Sequence, residues 1–267
     1  MEVLRAAVLG LVQGATEFIP VSSSGHLVLV PWLLGWPSPS LSFDTVLHLG
    51  TLLALLVVFW RELLSLAGAW LRSLRARQGS DEARIAWWIV LGTLPAVLAG
   101  LLWEEKVEAL FQRPLYVAVM LLVTGTWLVL AERLGQRQRS AQDLSWWQSV
   151  LVGVAQGVAL APGISRSGST IGAGLLLGLR REAAARFSFL LAIPIVFGAG
   201  LLQVRRLLEA SNAGSQLLPL LVGFAAAAGS GYVCIRFLLR YLRQRSLLVF
   251  AAYCWLAGLA TLLLSLR

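Results

Sequence analysis

The sequence predicts an all-α, polytopic integral membrane protein with six spanning helices and two re-entrant helical hairpins, arranged as an inverted-topology repeat. Three observations carry that prediction: the composition, six long apolar blocks, and two interrupted apolar segments that resemble each other. Of the 267 residues, 58% are hydrophobic and only 13% are charged, with mean hydropathy +0.78. A soluble domain carries about 25% charged residues. The net charge of +9 comes from arginines lying between the apolar blocks. They read as loop charges of an embedded protein and not as a nucleic-acid-binding surface. Cys234 and Cys254 lie inside apolar segments, with neither a disulfide framework nor metal-site spacing. The N-terminus does not read as a cleavable signal, because Glu17 and Pro20 follow its apolar stretch instead of a small-residue cleavage site.

The long apolar blocks fall at about 43–60, 85–103, 115–132, 187–204, 216–239 and 246–266. Each approaches or exceeds the roughly 20 residues a helix needs to cross the hydrocarbon core. Regions 2–35 and 147–179 are also apolar but are broken by Pro, Gly and Ser, at Pro20–Gly25 and Pro162–Gly168. Broken backbone survives at membrane depth only where protein or a wet cavity surrounds it, so these regions predict hairpins that enter and return on one side. Placing loops 61–84, 133–146, 180–186 and 236–245 in the cytoplasm puts fifteen Lys/Arg there. The other side receives six: Arg5, Lys106, Arg113, Arg205, Arg206 and Arg267. That asymmetry orients the chain with both termini on the outer, periplasmic side of a bacterial inner membrane.

Residues 10–26, GLVQGATEFIPVSSSGH, align without gaps to 153–169, GVAQGVALAPGISRSGS, with six of seventeen positions identical. The identities are Gly10/Gly153, Gln13/Gln156, Gly14/Gly157, Ser22/Ser165, Ser24/Ser167 and Gly25/Gly168. Three spans separate the two segments, and an odd number inverts topology. The halves are therefore about 1–142 and 143–267 of a single transmembrane domain, and substrate sites in such repeats lie where the broken helices meet.

Ser22, Ser23, Ser24 and Gly25 lead into the apolar run Leu27–Leu34, and Ser165, Arg166, Ser167, Gly168, Ser169 and Thr170 into a glycine-rich helix expected near Ile171. Free N–H groups and the helix dipole make such N-termini anion sites. Hydroxyls add donors, glycines allow close backbone approach, and Arg166 supplies a fixed cation. Glu17 is the only carboxylate in either hairpin core, with Gln13 four residues earlier on the same helical face. An ionisable residue at this depth marks a functional site, although a Glu17–Arg166 ion pair could also be purely structural. His26 is compatible with a satisfied interfacial histidine, an acid, or a metal neighbour. Asp44 and His48 read as structural or rim residues near the outer end of a span. Trp87–Trp88 and Trp146–Trp147 read as interfacial anchors. The glycine-rich stretch Ile171–Gly178 permits close helix packing, within one chain or in a homodimer.

Two segments, Glu17-Phe18-Ile19-Pro20-Val21-Ser22-Ser23-Ser24-Gly25-His26 and Pro162-Gly163-Ile164-Ser165-Arg166-Ser167-Gly168-Ser169-Thr170, closely resemble the signature segments of the bacterial undecaprenyl-diphosphate phosphatases of the bacitracin-resistance type. The resemblance extends over essentially the whole chain in length, spacing and membrane pattern. It implies an inner-membrane hydrolase that converts a polyprenyl diphosphate lipid to the monophosphate carrier of peptidoglycan synthesis, from a site reached on the outer face. It also implies a divalent cation, Mg²⁺ or Ca²⁺. By motif position, Glu17 corresponds to the essential glutamate, Ser23 to the proposed nucleophile, Arg166 to the phosphate-binding arginine and His26 to a histidine implicated in activity. Gln13 stands where other members carry a second carboxylate, and a glutamine can be neither a base nor an anionic metal ligand there. The resulting expectation sets a diphosphate between the two serine-rich turns. It is contacted by Gln13, Ser22, Ser24, Gly25, Ser165, Ser167, Gly168 and Thr170, with Glu17 as base and as a metal contact. Water attacking directly, with Ser23 only binding phosphate, stays open. So does a rival of another class, a transporter or flippase of polyprenyl phosphate lipids using the same pocket.

Overall fold

The computed structural model describes residues 2–76, 79–108, 113–209 and 217–266. The described residues form ten α-helices: α1 (Val3–Phe18), α2 (Ser23–Leu34), α3 (Leu41–Ala76), α4 (Asp81–Glu108), α5 (Pro114–Leu134), α6 (Trp146–Val158), α7 (Arg166–Leu176), α8 (Arg181–Glu209), α9 (Leu217–Leu242) and α10 (Leu248–Ser265). Six of them, α3, α4, α5, α8, α9 and α10, are long and apolar enough to cross a membrane. They fall on the six blocks expected from the sequence, with ends that differ by a few residues. The other four are two consecutive pairs of short helices, α1–α2 and α6–α7, on the two interrupted regions. Of the charges used to orient the chain, Arg77 and Arg267 lie outside the described residues, as do the side chains of Lys106, Arg205 and Arg206.

Two boundaries differ from expectation. Most of region 61–84, expected as a loop, is helix: α3 runs 36 residues to Ala76 and α4 begins at Asp81. At 1.5 Å per residue, α3 is about 54 Å long, well beyond a hydrocarbon core of about 30 Å. Its polar continuation is held partly by side chains, Glu62 accepting from Arg186 of α8 at 2.6 Å. The helix expected near Ile171 instead begins at Arg166, because Ser165 caps it by accepting from the Gly168 N–H at 3.0 Å. The small residues that resemble a loop thus form the first helical turn.

Apolar surface is left on the outside of the bundle. Only 28% of the most apolar windows of α9 and α10 is buried inside the protein. Leu98, Leu101, Leu102, Leu256 and Leu263 are exposed. Leaving each such side chain in water forgoes about 1.5–3 kcal/mol, so the solvent that suits this surface is lipid.

Inside, α1 packs on α9 and α6 on α4, while α5 packs on α10 and α3 on α8. Taking the elements in fives, each contact maps onto its counterpart: α1 with α9 becomes α6 with α4, and the other two map onto themselves. Glycines set the closest approaches. A Cβ on Gly10 would collide with the Gly223 carbonyl of α9, and one on Gly153 with the Gly92 carbonyl of α4. Gly172 and Gly174, in the stretch that could have served a homodimer, pack against Trp127 and against Ala184 of the same chain. Both cysteines are free, as the sequence predicts.

Candidate active site

The first break spans Ile19–Ser22 and the second Ala159–Ser165, and the two turns are built alike. Ser22 caps α2, accepting from the Gly25 N–H at 3.2 Å, and its Oγ lies 3.3 Å from that of Ser24. Ser165 caps α7 in the same way, with Ser167 Oγ at 3.2 Å. The turns also pack on each other. A Cβ on Gly25 would lie 3.3 Å from Gly163 Cα, and one on Gly168 3.4 Å from Pro20 Cβ. Ser167 Oγ donates to the Ile19 carbonyl across the junction at 3.4 Å. The missing side chains of Gly25 and Gly168 therefore first allow hairpin to meet hairpin.

Glu17, in the last turn of α1, sits at this junction, buried with 6% exposure. Its Oε2 accepts from Gln13 Nε2 at 3.0 Å and from Ser23 Oγ at 2.5 Å, and its Oε1 accepts from Arg166 Nη2. Ser23 and Arg166 occupy equivalent positions of the two repeats, and each is the first residue of its helix. One helix start from each half thus delivers one side chain to a single carboxylate. The arrangement pairs a hydroxyl with a base that can take its proton, and puts a guanidinium beside both for an anion. In the second repeat Leu160 stands where Glu17 stands in the first. Its neighbour Gln156 is 2% exposed, and neither amide atom has a hydrogen-bond partner.

Ser22 adopts φ +71°, a conformation that favours glycine and stores strain in a serine. Its carbonyl accepts from His26 Nδ1 at 2.7 Å, while His26 Nε2 lies 2.7 Å from the Tyr253 hydroxyl of α10 and the two rings stack. Because a carbonyl only accepts, Nδ1 carries the proton, and in the neutral ring Nε2 accepts from Tyr253. Both ring nitrogens of His26 are therefore engaged within the protein. Thr170 Oγ1 faces α8, 2.5 Å from Ser188 Oγ. The structure thus joins Gln13, Glu17, Ser23 and Arg166 directly, sets the other serines and glycines in the two turns around them, and engages His26 and Thr170 elsewhere.

Two residues near the cluster were not singled out for it. His48, read as a structural or rim residue, places Nε2 3.7 Å from Glu17 Oε2, with Nδ1 2.8 Å from the Asp44 carbonyl. Tyr253, which orients His26, carries no signal in an otherwise apolar helix. A third unanticipated group lies apart: Glu132, 5% exposed near the end of α5, binds Arg137 and Arg181 and accepts from the Leu247 N–H at 3.2 Å. It ties the adjoining ends of α5, α8 and α10 together.

A divalent cation would need oxygen ligands. Among the described residues no three His, Cys, Asp or Glu side chains form a metal-binding group. Beside Glu17, however, Gln13 Oε1 is buried without a hydrogen-bond partner, and an orphaned carbonyl oxygen suits a hard cation. The donors fit a cation whose remaining ligands are substrate oxygens or water.

Comparison with known proteins identifies the family. The family described as bacitracin resistance protein BacA matches residues 6–260. An undecaprenyl-diphosphatase of Thermomicrobium roseum is 46% identical over 272 residues, with 98% of each chain covered. Another, of Rubrobacter xylanophilus, is 46% identical over 271 residues with 100% of each covered, and one of Geobacter sulfurreducens is 45% identical over 263 with 98% of each covered. The chain belongs to the bacitracin resistance protein BacA family.

Proposed function

We propose that this protein is an undecaprenyl-diphosphatase, releasing inorganic phosphate from the lipid diphosphate and leaving the lipid monophosphate. The observation that carries the reading is the convergence of Ser23 and Arg166, from opposite hairpins, on the two oxygens of Glu17. Relatives at 44–46% identity over nearly the whole chain bear that activity as their name.

On this reading α1–α2 and α6–α7 are re-entrant hairpins of an inverted repeat, and the diphosphate enters their junction from the outer face of the plasma membrane. The exchanged packing of the two sets of five helices supports the repeat. Arg166 moves from Glu17 to the terminal phosphoryl group, joined there by N–H groups at the starts of α2 and α7. Phosphoryl transfer depends mostly on such positioning and charge neutralisation. Ser23 Oγ attacks the terminal phosphorus while Glu17 takes its proton, and the bond to the bridging oxygen breaks as the lipid monophosphate leaves. Glu17 passes that proton to the departing monophosphate and, ionised again, takes one from a water that attacks the phosphoserine; as the Ser23–phosphorus bond breaks and phosphate leaves, Glu17 returns the proton to Ser23 Oγ. Glu17 and Gln13 Oε1 would hold a divalent cation, Mg²⁺ or Ca²⁺, which when bound neutralises phosphate charge. The hydrogen bond that Ser23 Oγ donates to Glu17 sets the hydroxyl against its base and favours serine over water as the attacking group. Acid quench during turnover of undecaprenyl diphosphate should trap phosphate on Ser23. Full activity in Ser23→Ala, with no trapped phosphate in the wild type, would return the attack to water. Lipid flux across vesicles without phosphate release would favour the transporter.

A further inference from the structure

A cavity of about 500 Å³ opens away from the hairpin junction, on the arginine-rich side of the bundle that the charge asymmetry assigns to the cytoplasm. Its rim is drawn from five places in the chain and carries Arg137, Arg180, Arg181, Arg186 and Arg243 against Glu62 and Glu182. Most of this charge is already paired. Arg186 binds Glu62 at 2.6 Å, Arg243 binds Glu182 at 2.8 Å, and Arg137 and Arg181 share the single carboxylate of Glu132. What remains is positive: one of the two charges facing Glu132, and the whole of Arg180. The Arg180 side chain is exposed and makes no hydrogen bond or ion pair among the described residues. The first turn of α8, Arg181–Ala183, also lines the space. The inner wall is different in kind: Phe187, Leu190 and Leu242, each at most 3% exposed, close it with hydrocarbon.

Arginines on this side of a membrane protein need no ligand to explain them, but such charges usually stand in open water. Here they converge on a half-open recess, which retains uncompensated positive charge beside an apolar wall. Forked guanidinium donors suit the oxygens of a phosphate group, and a basic recess between helices at this level suits a lipid headgroup. We propose that the cavity is a second anion site, separate from the Glu17 junction, that binds a phosphate group, esterified or free, with Arg180 as its free cation. That chemistry is offered both by anionic lipid of the adjoining leaflet and by inorganic phosphate.

The test compares wild type, Arg180→Gln and Arg133→Gln. The last removes the same charge from an exposed position near the same end of the bundle but outside the cavity lining. One arm measures retention of phosphatidylglycerol against phosphatidylcholine by native mass spectrometry, and the other titrates inorganic phosphate calorimetrically. Arg180→Gln should weaken binding about tenfold in at least one arm, equivalent to about 1.4 kcal/mol. Arg133→Gln should leave it within twofold, and phosphate release from undecaprenyl diphosphate should be unchanged in both variants. Loss in the lipid arm assigns the site to a headgroup, and loss in the phosphate arm alone assigns it to the free ion. Equal binding by all three proteins in both arms, or equal loss in both variants, would overturn the proposal.

Discussion

Replacing Arg166 with glutamine separates what the Glu17–Arg166 pair does for the fold from what it does for chemistry. The Glu17 side chain is 4% exposed and that of Arg166 is 21% exposed, so Arg166→Gln strands a buried carboxylate. Removing one partner of a buried pair costs about 3–5 kcal/mol. Gln13 and Ser23 remain as donors to Glu17, which puts the loss near the lower end, about 3 kcal/mol. For a chain of this size that lowers Tm by on the order of 10 °C. Adding Glu17→Gln removes the stranded charge, and the double variant should regain most of the lost Tm. Turnover should not return with it, because both the base and the phosphate-neutralising cation are gone; the deficit should stay at least roughly 10³-fold. The assay pairs thermal unfolding of purified protein in detergent with phosphate release from undecaprenyl diphosphate. A double variant that recovers stability and turnover together would refute the reasoning and leave the pair a structural one.

Three further outcomes follow from particular contacts. Gln13→Glu would set two carboxylates about 3 Å apart, a repulsion of about 5 kcal/mol at an effective dielectric of 20. A cation relieves it, so half-maximal Mg²⁺ activation in buffered chelator should fall at least about tenfold; an unchanged curve would remove Gln13 and Glu17 from the cation's ligands. Gly153→Ala, which drives a methyl into the Gly92 carbonyl, should abolish well-folded protein in size-exclusion chromatography, whereas Gly100→Ala, with nothing within 4 Å, should be tolerated. Glu132→Gln should lower Tm by the equivalent of about 3 kcal/mol, because Arg137 and Arg181 lose their shared carboxylate. The KM for lipid should stay unchanged, since Glu132 lies apart from the junction.

The legible parts of this fold are those written in local pattern. Six apolar blocks predicted six long helices because a span must satisfy its own backbone within the segment. The gapless match of 10–26 to 153–169 predicted that the two turns meet, because both breaks had to be buried against something and each other's turn was available. Pattern failed where a tertiary contact decides. Region 61–84 resembles a loop by its charges, yet α3 continues through it with Arg186 of a distant helix binding Glu62. The start of α7 depends on one serine cap among residues that equally suit a turn. His48 lies 31 positions from Glu17 and meets it only because α3 packs on α1. Tyr253, Glu132 and the cavity arginines are polar residues whose partners lie far along the chain, and no spacing rule connects them.

The most direct test is phosphate release from undecaprenyl diphosphate by purified protein in detergent, with and without EDTA, beside Glu17→Gln and Ser23→Ala. Wild type should release phosphate in a cation-dependent way, and release should fall at least roughly 10³-fold in both variants while each still unfolds cooperatively. No release by well-folded wild type across several cations and prenyl lengths would contradict the proposed activity.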